Sequence, residues 1–127
     1  MTLAHEEMLT VQLAGAVSQG AAIDTSSAGA LVSVPRGKLD ADDLVFRVAR
    51  GDLREFGIER GDILIVEPRP DGNAATAELV LTSLHERAFV GRWWTKQGQR
   101  ALVDLALQVI AEGAALRVLG AITIVLP

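Results

Sequence analysis

Apolar residues along this chain recur more often at every second position than at helical spacing. In Leu44-Val45-Phe46-Arg47-Val48, the side chains of Leu44, Phe46 and Val48 fall on one face of an extended strand. Asp62-Ile63-Leu64-Ile65-Val66-Glu67 follows Gly61 as an unbroken apolar run, the mark of a strand covered on both faces. Pro68 and Pro70 end it, and Asp71-Gly72-Asn73 is turn chemistry. The spacing predicts a hairpin from Glu78 to Leu84 and Arg87 to Trp94 with His85-Glu86 at its tip, then a turn at Lys96-Gln97-Gly98-Gln99. Leu116 to Leu126 reads as a long closing strand. Arg100 to Ala111 fits either period: Leu102, Leu105, Val109 and Ile110 line one side of a helix, whereas Val103, Leu105, Leu107 and Val109 share one face of a strand. The alternation favours the strand. Arg50 to Phe56 invites the only helical turn, with Asp52 as N-cap and Glu55 three residues on. Asp24 to Ala30, small and polar, reads as a mobile loop. The expected class is all-β with at most one short helical turn.

Composition narrows the possible functions. The 127 residues suit a single domain, and 50% hydrophobic against 22% charged residues place the chain among folded proteins. Aromatic residues make up only 4%, so Val, Leu, Ile and Ala must supply the core. There is no cysteine, which excludes a disulfide scaffold, a thiolate zinc site and a cysteine nucleophile. His5 and His85 are the only histidines, too few for a histidine cage, and no metal or cofactor is expected. A net charge of −4 argues against direct nucleic-acid binding. The arginines from Arg47 to Arg60 are balanced by Asp52, Glu55 and Glu59 and read as a solvated face. Gly51-Asp52 and Gly61-Asp62 are turn glycines, since no Lys or Ser/Thr follows at phosphate-loop spacing. No apolar run approaches the roughly 20 residues of a membrane helix, and the N-terminus lacks a signal peptide's basic start. A cytoplasmic chain without membrane contact is expected.

The stretch from Phe46-Arg47-Val48 through Gly57-Ile58-Glu59-Arg60-Gly61-Asp62 to Val66 resembles the self-cleaving serine peptidase domain of LexA, UmuD and phage repressors, a signal-peptidase-like family. Its pattern there is Phe-Arg-Val, a turn carrying Ser-Met, Gly-Ile, then Gly-Asp and an apolar strand. Leu13 to Gly20 looks like the cleavage-site region, Phe89 to Trp93 like the strand that holds the general-base lysine, and Leu119 to Val125 like the closing strand. The likeness divides the chain into an N-terminal segment, 1–10, and a LexA-like domain, 11–127. It implies a partly open β-barrel, or β-clip, of mostly antiparallel strands.

Cleavage in that family uses a Ser–Lys dyad, in which a desolvated lysine takes the serine's proton. Aligned without gaps, the nucleophile position falls on Asp52, the methionine beside it on Leu53 and the lysine position on Gly91, while the former cleavage site becomes Gln19-Gly20. The dyad is absent. Lys38 and Lys96, the only lysines, fall in expected loops, so a substitute pair such as Ser33 with Lys38 is disfavoured, as is a carboxylate pair of Asp52 and Glu55. The alignment also implies that Asp52→Ser with Gly91→Lys would bring hydroxyl and amine within about 3 Å. On its plainest reading, Asp52 caps its turn or pairs with Arg50, Arg54 or Arg92. Trp93 and Trp94 must point to opposite faces of a strand. One of them, with an apolar final-strand edge at Ile122 and Ile124, is the candidate interface.

The resemblance therefore implies a catalytically inactive LexA/UmuD-like domain that acts as a dimerising regulatory or protein-interaction module in a DNA-damage (SOS-type) transcriptional response. Its expected partner is a second copy, a LexA-like repressor or another damage-response protein. Starting at Met1 with too few residues ahead of Val11 for a helix-turn-helix, the layout is nearer UmuD's. Two alternatives stay open: a small-molecule-binding β-domain with its pocket beside Gly91, and a residual self-cleaving peptidase.

Overall fold

The computed structural model describes residues Glu7–Pro127. His5 and the rest of 1–6 lie outside the described residues. The chain is all-β. Its strands are β1 (Met8–Gln12), β2 (Gly15–Val17), β3 (Leu31–Pro35), β4 (Leu44–Val48), β5 (Ile63–Pro68), β6 (Leu79–Leu84), β7 (Arg87–Lys96), β8 (Gln99–Val103), β9 (Val109–Glu112) and β10 (Arg117–Leu126). β1 and β3 form a small antiparallel pair, and the other strands form one sheet in the order β2-β4-β5-β10-β6-β7-β8-β9. That sheet is antiparallel apart from the parallel β2–β4 pair, and it curls into a half-barrel. Two 3-10 turns occur where one helical turn was expected, Arg36–Lys38 and Arg54–Phe56.

The alternation along the strands sets where the core lies. Ile63, Leu64, Ile65 and Val66 of β5 are all buried, because each face of this strand meets a separate apolar cluster. Leu64 and Val66 join Val17, Phe46, Val48, Leu53 and Val90 on one side; Ile63 and Ile65 join Leu13, Val34 and Val45 on the other. In β4, Phe46 and Val48 are buried as their spacing predicts, but Leu44 is exposed and Val45 fills the opposite cluster. A third cluster gathers Trp93, Leu102, Leu116 and Val118 towards β8 and β9. Full burial of an aliphatic side chain stabilises by about 1.5–3 kcal/mol relative to exposure, and these layers are where the chain obtains its stability.

The predicted hairpins form. His85 (φ 50°) and Glu86 (φ 66°) reverse the chain between β6 and β7, and Gln97 (φ 53°) and Gly98 (φ 77°) do so between β7 and β8. Paired left-handed residues match the right-handed twist of the flanking strands.

Four expectations need correction. Arg100 to Ala111 is not one strand: β8 ends at Val103, and Asp104 turns the chain by accepting the Ala106 and Gln108 N–H groups through Oδ1 at 2.9 Å each. Leu105 and Leu107 ride on that turn, exposed. The segment from Asp24 to Ala30 is tied down rather than loose, since Leu13 and Gly29–Ala30 exchange backbone bonds at 2.8 and 2.9 Å and Asp24 Oδ1 accepts the Ser26 N–H. Asp52 does not cap the turn; Leu53 occupies the cap position and no side chain caps it. The final strand is not a terminal strand of the sheet, because β10 lies between β5 and β6, but β6 pairs only with Arg117 to Ala121 and leaves Ile122 to Leu126 paired on the β5 side alone. Ile122 is buried against Val66, and the register shifts before Ile124 so that it pairs with Ile65 and packs on the opposite cluster. Ile122 is thus buried away from any interface, whereas Ile124 is half-buried.

Candidate functional site

β2 and the residues after it build the site. Ala16 and Asp24 exchange backbone hydrogen bonds at 2.8 and 2.9 Å, which closes residues 17–23 into a strap with a pinned neck. The strap lies along the outer edge of the first half of β7. That edge is vacant because β8 pairs only with Arg92 to Lys96, leaving Ala88 and Val90 with outward peptide groups. Buried edge groups must find partners. Ala88 exchanges bonds with the strap: its N–H donates to the Ala21 carbonyl at 2.8 Å, and its carbonyl accepts the Gly20 N–H at 2.8 Å.

At Val90 the partner is a side chain. Gln19 Nε2 donates to the Val90 carbonyl at 2.8 Å, and the Val90 N–H donates to Gln19 Oε1 at 2.7 Å. On the other side, the Gln19 backbone N–H donates to Asp52 Oδ2 at 3.3 Å. Gln19 thus joins two positions that are 33 and 71 residues away in sequence. Beneath this contact Val17, Leu53, Ala88 and Val90 share one buried cluster. Leu53 is fully buried there, and its burial fixes the loop that carries Asp52.

Of the sequence candidates, the fold brings together Gln19, Gly20 and Asp52. Gly91 follows Val90 but faces away from this cluster: a β-carbon on it would lie 2.8 Å from Leu102 Cγ, 2.9 Å from the Val103 carbonyl oxygen and 3.0 Å from Ile110 Cδ1. That space is filled. The expected vacated pocket beside Gly91 is not present, and a lysine there would press into the wall made by β8 and β9 rather than reach towards Asp52. Trp93 is fully buried, which removes it from the candidate interface, while Trp94 is 36% exposed.

The chemistry available at the strap is limited. Asp52 is an exposed carboxylate, and among the described residues it has no ion pair with Arg50, Arg54 or Arg92; Arg54 pairs instead with Glu59 at 3.4 Å. Ser18 is the only hydroxyl in 17–23. Lys38 lies in the 3-10 turn after β3, Lys96 closes β7, and both are exposed. Ser33 sits exposed on β3. No group of His, Cys, Asp and Glu among the described residues is arranged to hold a metal ion, and none of their helices is long and apolar enough to cross a membrane.

Three surface clefts lie away from the strap: one of about 500 Å³ lined by Asp40, Asp42, Asp43, Glu67 and Pro70, and two that flank β8. The larger of these two, of about 680 Å³, runs between Gly98, Arg100, Glu112 and Arg117. Both arginines there are engaged, Arg100 with the Leu116 carbonyl at 3.2 Å and Arg117 with the Ala114 carbonyl at 2.9 Å. The other, of about 270 Å³, is an apolar groove lined by Trp94, Ala101, Val103, Leu107 and Val109 beside the sheet's last strand. Sequence reasoning missed this groove, because Leu107 and Val109 alternate with polar residues as core positions would. It also missed Val90, whose role is carried by its backbone and leaves no signal in a side chain. No protein-family model matches the chain, and no curated protein matches it at a significant level.

Proposed function

We propose that the chain is a catalytically inactive LexA/UmuD-like domain acting as a dimerising regulatory or protein-interaction module in an SOS-type transcriptional response. The observation that carries this reading is the meeting of Gln19-Gly20 with Asp52 and with the strand of Val90-Gly91. A segment aligned with a cleavage site lies against the position aligned with its nucleophile, although the two are 33 residues apart. Catalysis is excluded from the proposal on chemical grounds. A carboxylate at Asp52 supplies no hydroxyl to activate, and the filled space at Gly91 leaves no room for an amine.

The interaction role draws on the last strand of the sheet. β9 is a terminal strand whose outer edge is unpaired, and Trp94, Leu107 (63% exposed) and Val109 (55% exposed) form an apolar surface beside it. A second copy related by a two-fold axis would pair β9 with β9 and cover both patches at once.

Prolonged incubation at alkaline pH, followed by intact-mass measurement, tests the loss of catalysis. A single full-length mass is expected. A fragment ending at Gln19 would sink the inactive reading and restore the peptidase.

A further inference from the structure

The cleft of about 680 Å³ beside β8 and β9 brings two arginines to one oxygen atom. Arg100 Nη1 donates to the Leu116 carbonyl at 3.2 Å; Arg117 Nη1 donates to the same carbonyl at 3.4 Å and to the Ala114 carbonyl at 2.9 Å. The two guanidinium nitrogens are thus no further apart than those two bonds laid end to end. A guanidinium carries five N–H donors, and among the described residues the Nε and Nη2 groups of both arginines have no protein acceptor. Neither has a carboxylate partner there, since the ion pairs of those residues belong to Arg36, Arg54 and Arg69. Glu112 lines the cleft, but the pleat turns it away: Arg100 shares the face of Leu102, whereas Glu112 pairs with Ala101 and shares the opposite one. Arg117 is also held along its stem. A β-carbon on Gly72 would lie 2.8 Å from Arg117 Cδ, so the arginine lies directly across that glycine, and the Val118 N–H donates to the Gly72 carbonyl at 3.2 Å.

We propose that this cleft is a binding site for a small-molecule phosphate monoester, its phosphate oxygens taken by the free Nε and Nη2 donors of Arg100 and Arg117. Two like charges held this close repel each other, and an anion between them removes the repulsion. A phosphate dianion matches both charges, and its oxygens suit the guanidinium fork. A carboxylate matches only one. The Leu116 and Ala114 carbonyls fix both guanidiniums before a ligand arrives, so less side-chain freedom is lost on binding. The volume lies within the roughly 300–1,000 Å³ of small-molecule sites and exceeds what bare phosphate fills, which leaves the space along Gly98, Gly113 and Ala114 for the rest of the ligand. The site uses neither Gln19 nor Asp52 and goes beyond the peptidase likeness: failed dimerisation or unexpected cleavage would leave it standing, and failed phosphate binding would leave that likeness standing.

Titration of the full chain with ribose 5-phosphate, followed by heteronuclear NMR, tests the proposal. Saturable shifts are expected at the Nε–H signals of Arg100 and Arg117 and at the Gly113 and Ala114 amides, with β5 amides unmoved. Inorganic phosphate should move the same signals with weaker affinity, acetate should bind more weakly still, and ribose should move none. Arg117→Gln should weaken ribose 5-phosphate roughly tenfold to a hundredfold, and Arg117→Lys, which keeps the charge and loses the fork, should recover only part of that. Shifts that fail to saturate, or that ribose reproduces, would overturn the site. Acetate binding as tightly as inorganic phosphate would overturn the phosphate assignment, and ribose 5-phosphate binding no tighter than inorganic phosphate would overturn the larger ligand. Unchanged affinity in Arg117→Gln would overturn the arginine pair. Should that variant unfold, Arg100→Gln must show the same loss, and the wild-type titration decides the site in either case.

Discussion

A side-chain amide can stand in for a peptide group only if the chain approaches at the right distance, and at Gln19 the approach depends on its neighbour. Gly20 has φ of +75° with only Phe89 Cε1 nearby, 3.5 Å from where a β-carbon would be. The constraint is therefore the dihedral rather than space. Gly20→Ala should cost about 1–2 kcal/mol, read as a lower urea midpoint with an unchanged slope. Asp24 is a second residue whose local bonds have a measurable consequence. Hydrogen bonds from the Ser26 side chain and then its backbone N–H hold the Asp24 carboxyl below its ordinary value of 3.8. A depressed carboxyl stabilises the fold above its unfolded pKa and loses that contribution as pH falls through the folded one. The stability margin of wild type over Asp24→Ala should thus be full above pH 3.8 and shrink below it, as followed by urea titrations across that range. A margin that stayed constant with pH would show that the charged form is not the one being favoured.

At the scale of elements, the turn after β8 and the bulge in β10 decide what periodicity could not. Asp104 accepts two backbone N–H groups and so converts an alternating apolar run into two short strands. Asp104→Ala should lose roughly 1–3 kcal/mol, by about 0.5–1.5 kcal/mol for each bond, and raise exchange in β9 before the rest of the sheet. In β10, Thr123 is the extra residue, its hydroxyl donating to the Ile65 carbonyl at 3.3 Å. Ile122 and Ile124 would share a face in a regular strand; the bulge sends them to different clusters. Close packing also governs Gly91. Gly91→Lys should destabilise the chain by about 1–3 kcal/mol or more through overpacking, and Asp52→Ser with Gly91→Lys should yield no self-cleavage. A cleaved product from that double variant would mean the wall formed by Leu102, Val103 and Ile110 can yield.

For the whole molecule, the half-barrel separates two surfaces: the strap on the edge of β7 and the apolar groove beside β9. Trp94→Glu combined with Val109→Glu places charge in the groove without touching the buried clusters. Under the proposed self-association, sedimentation should show a dimer for the wild type and a monomer for the double variant, with the melting temperature nearly unchanged. A wild-type chain that is monomeric at high concentration would remove self-association from the proposed role. Because Val109 lies on β9 and Trp94 is exposed and outside the buried cluster of Val17, Leu53 and Val90, exchange at Val90 should not respond to them.

Alternation, turn residues and composition were enough to establish the all-β class, the buried run of β5, the tips of the two hairpins and the opposite facing of Trp93 and Trp94. These follow from forces between near neighbours in the chain, which the local pattern records. Gln19 and Asp52 could be singled out through the resemblance to the LexA/UmuD family, but their contact could not be read from the sequence, because it depends on a loop held by burial of Leu53 and on β8 being too short to cover β7. The interior position of β10, the filled space at Gly91 and the exposed groove at β9 were settled in the same way. Strand order, register and bulges arise from long-range backbone pairing, and a peptide group bonds alike whichever side chain it carries.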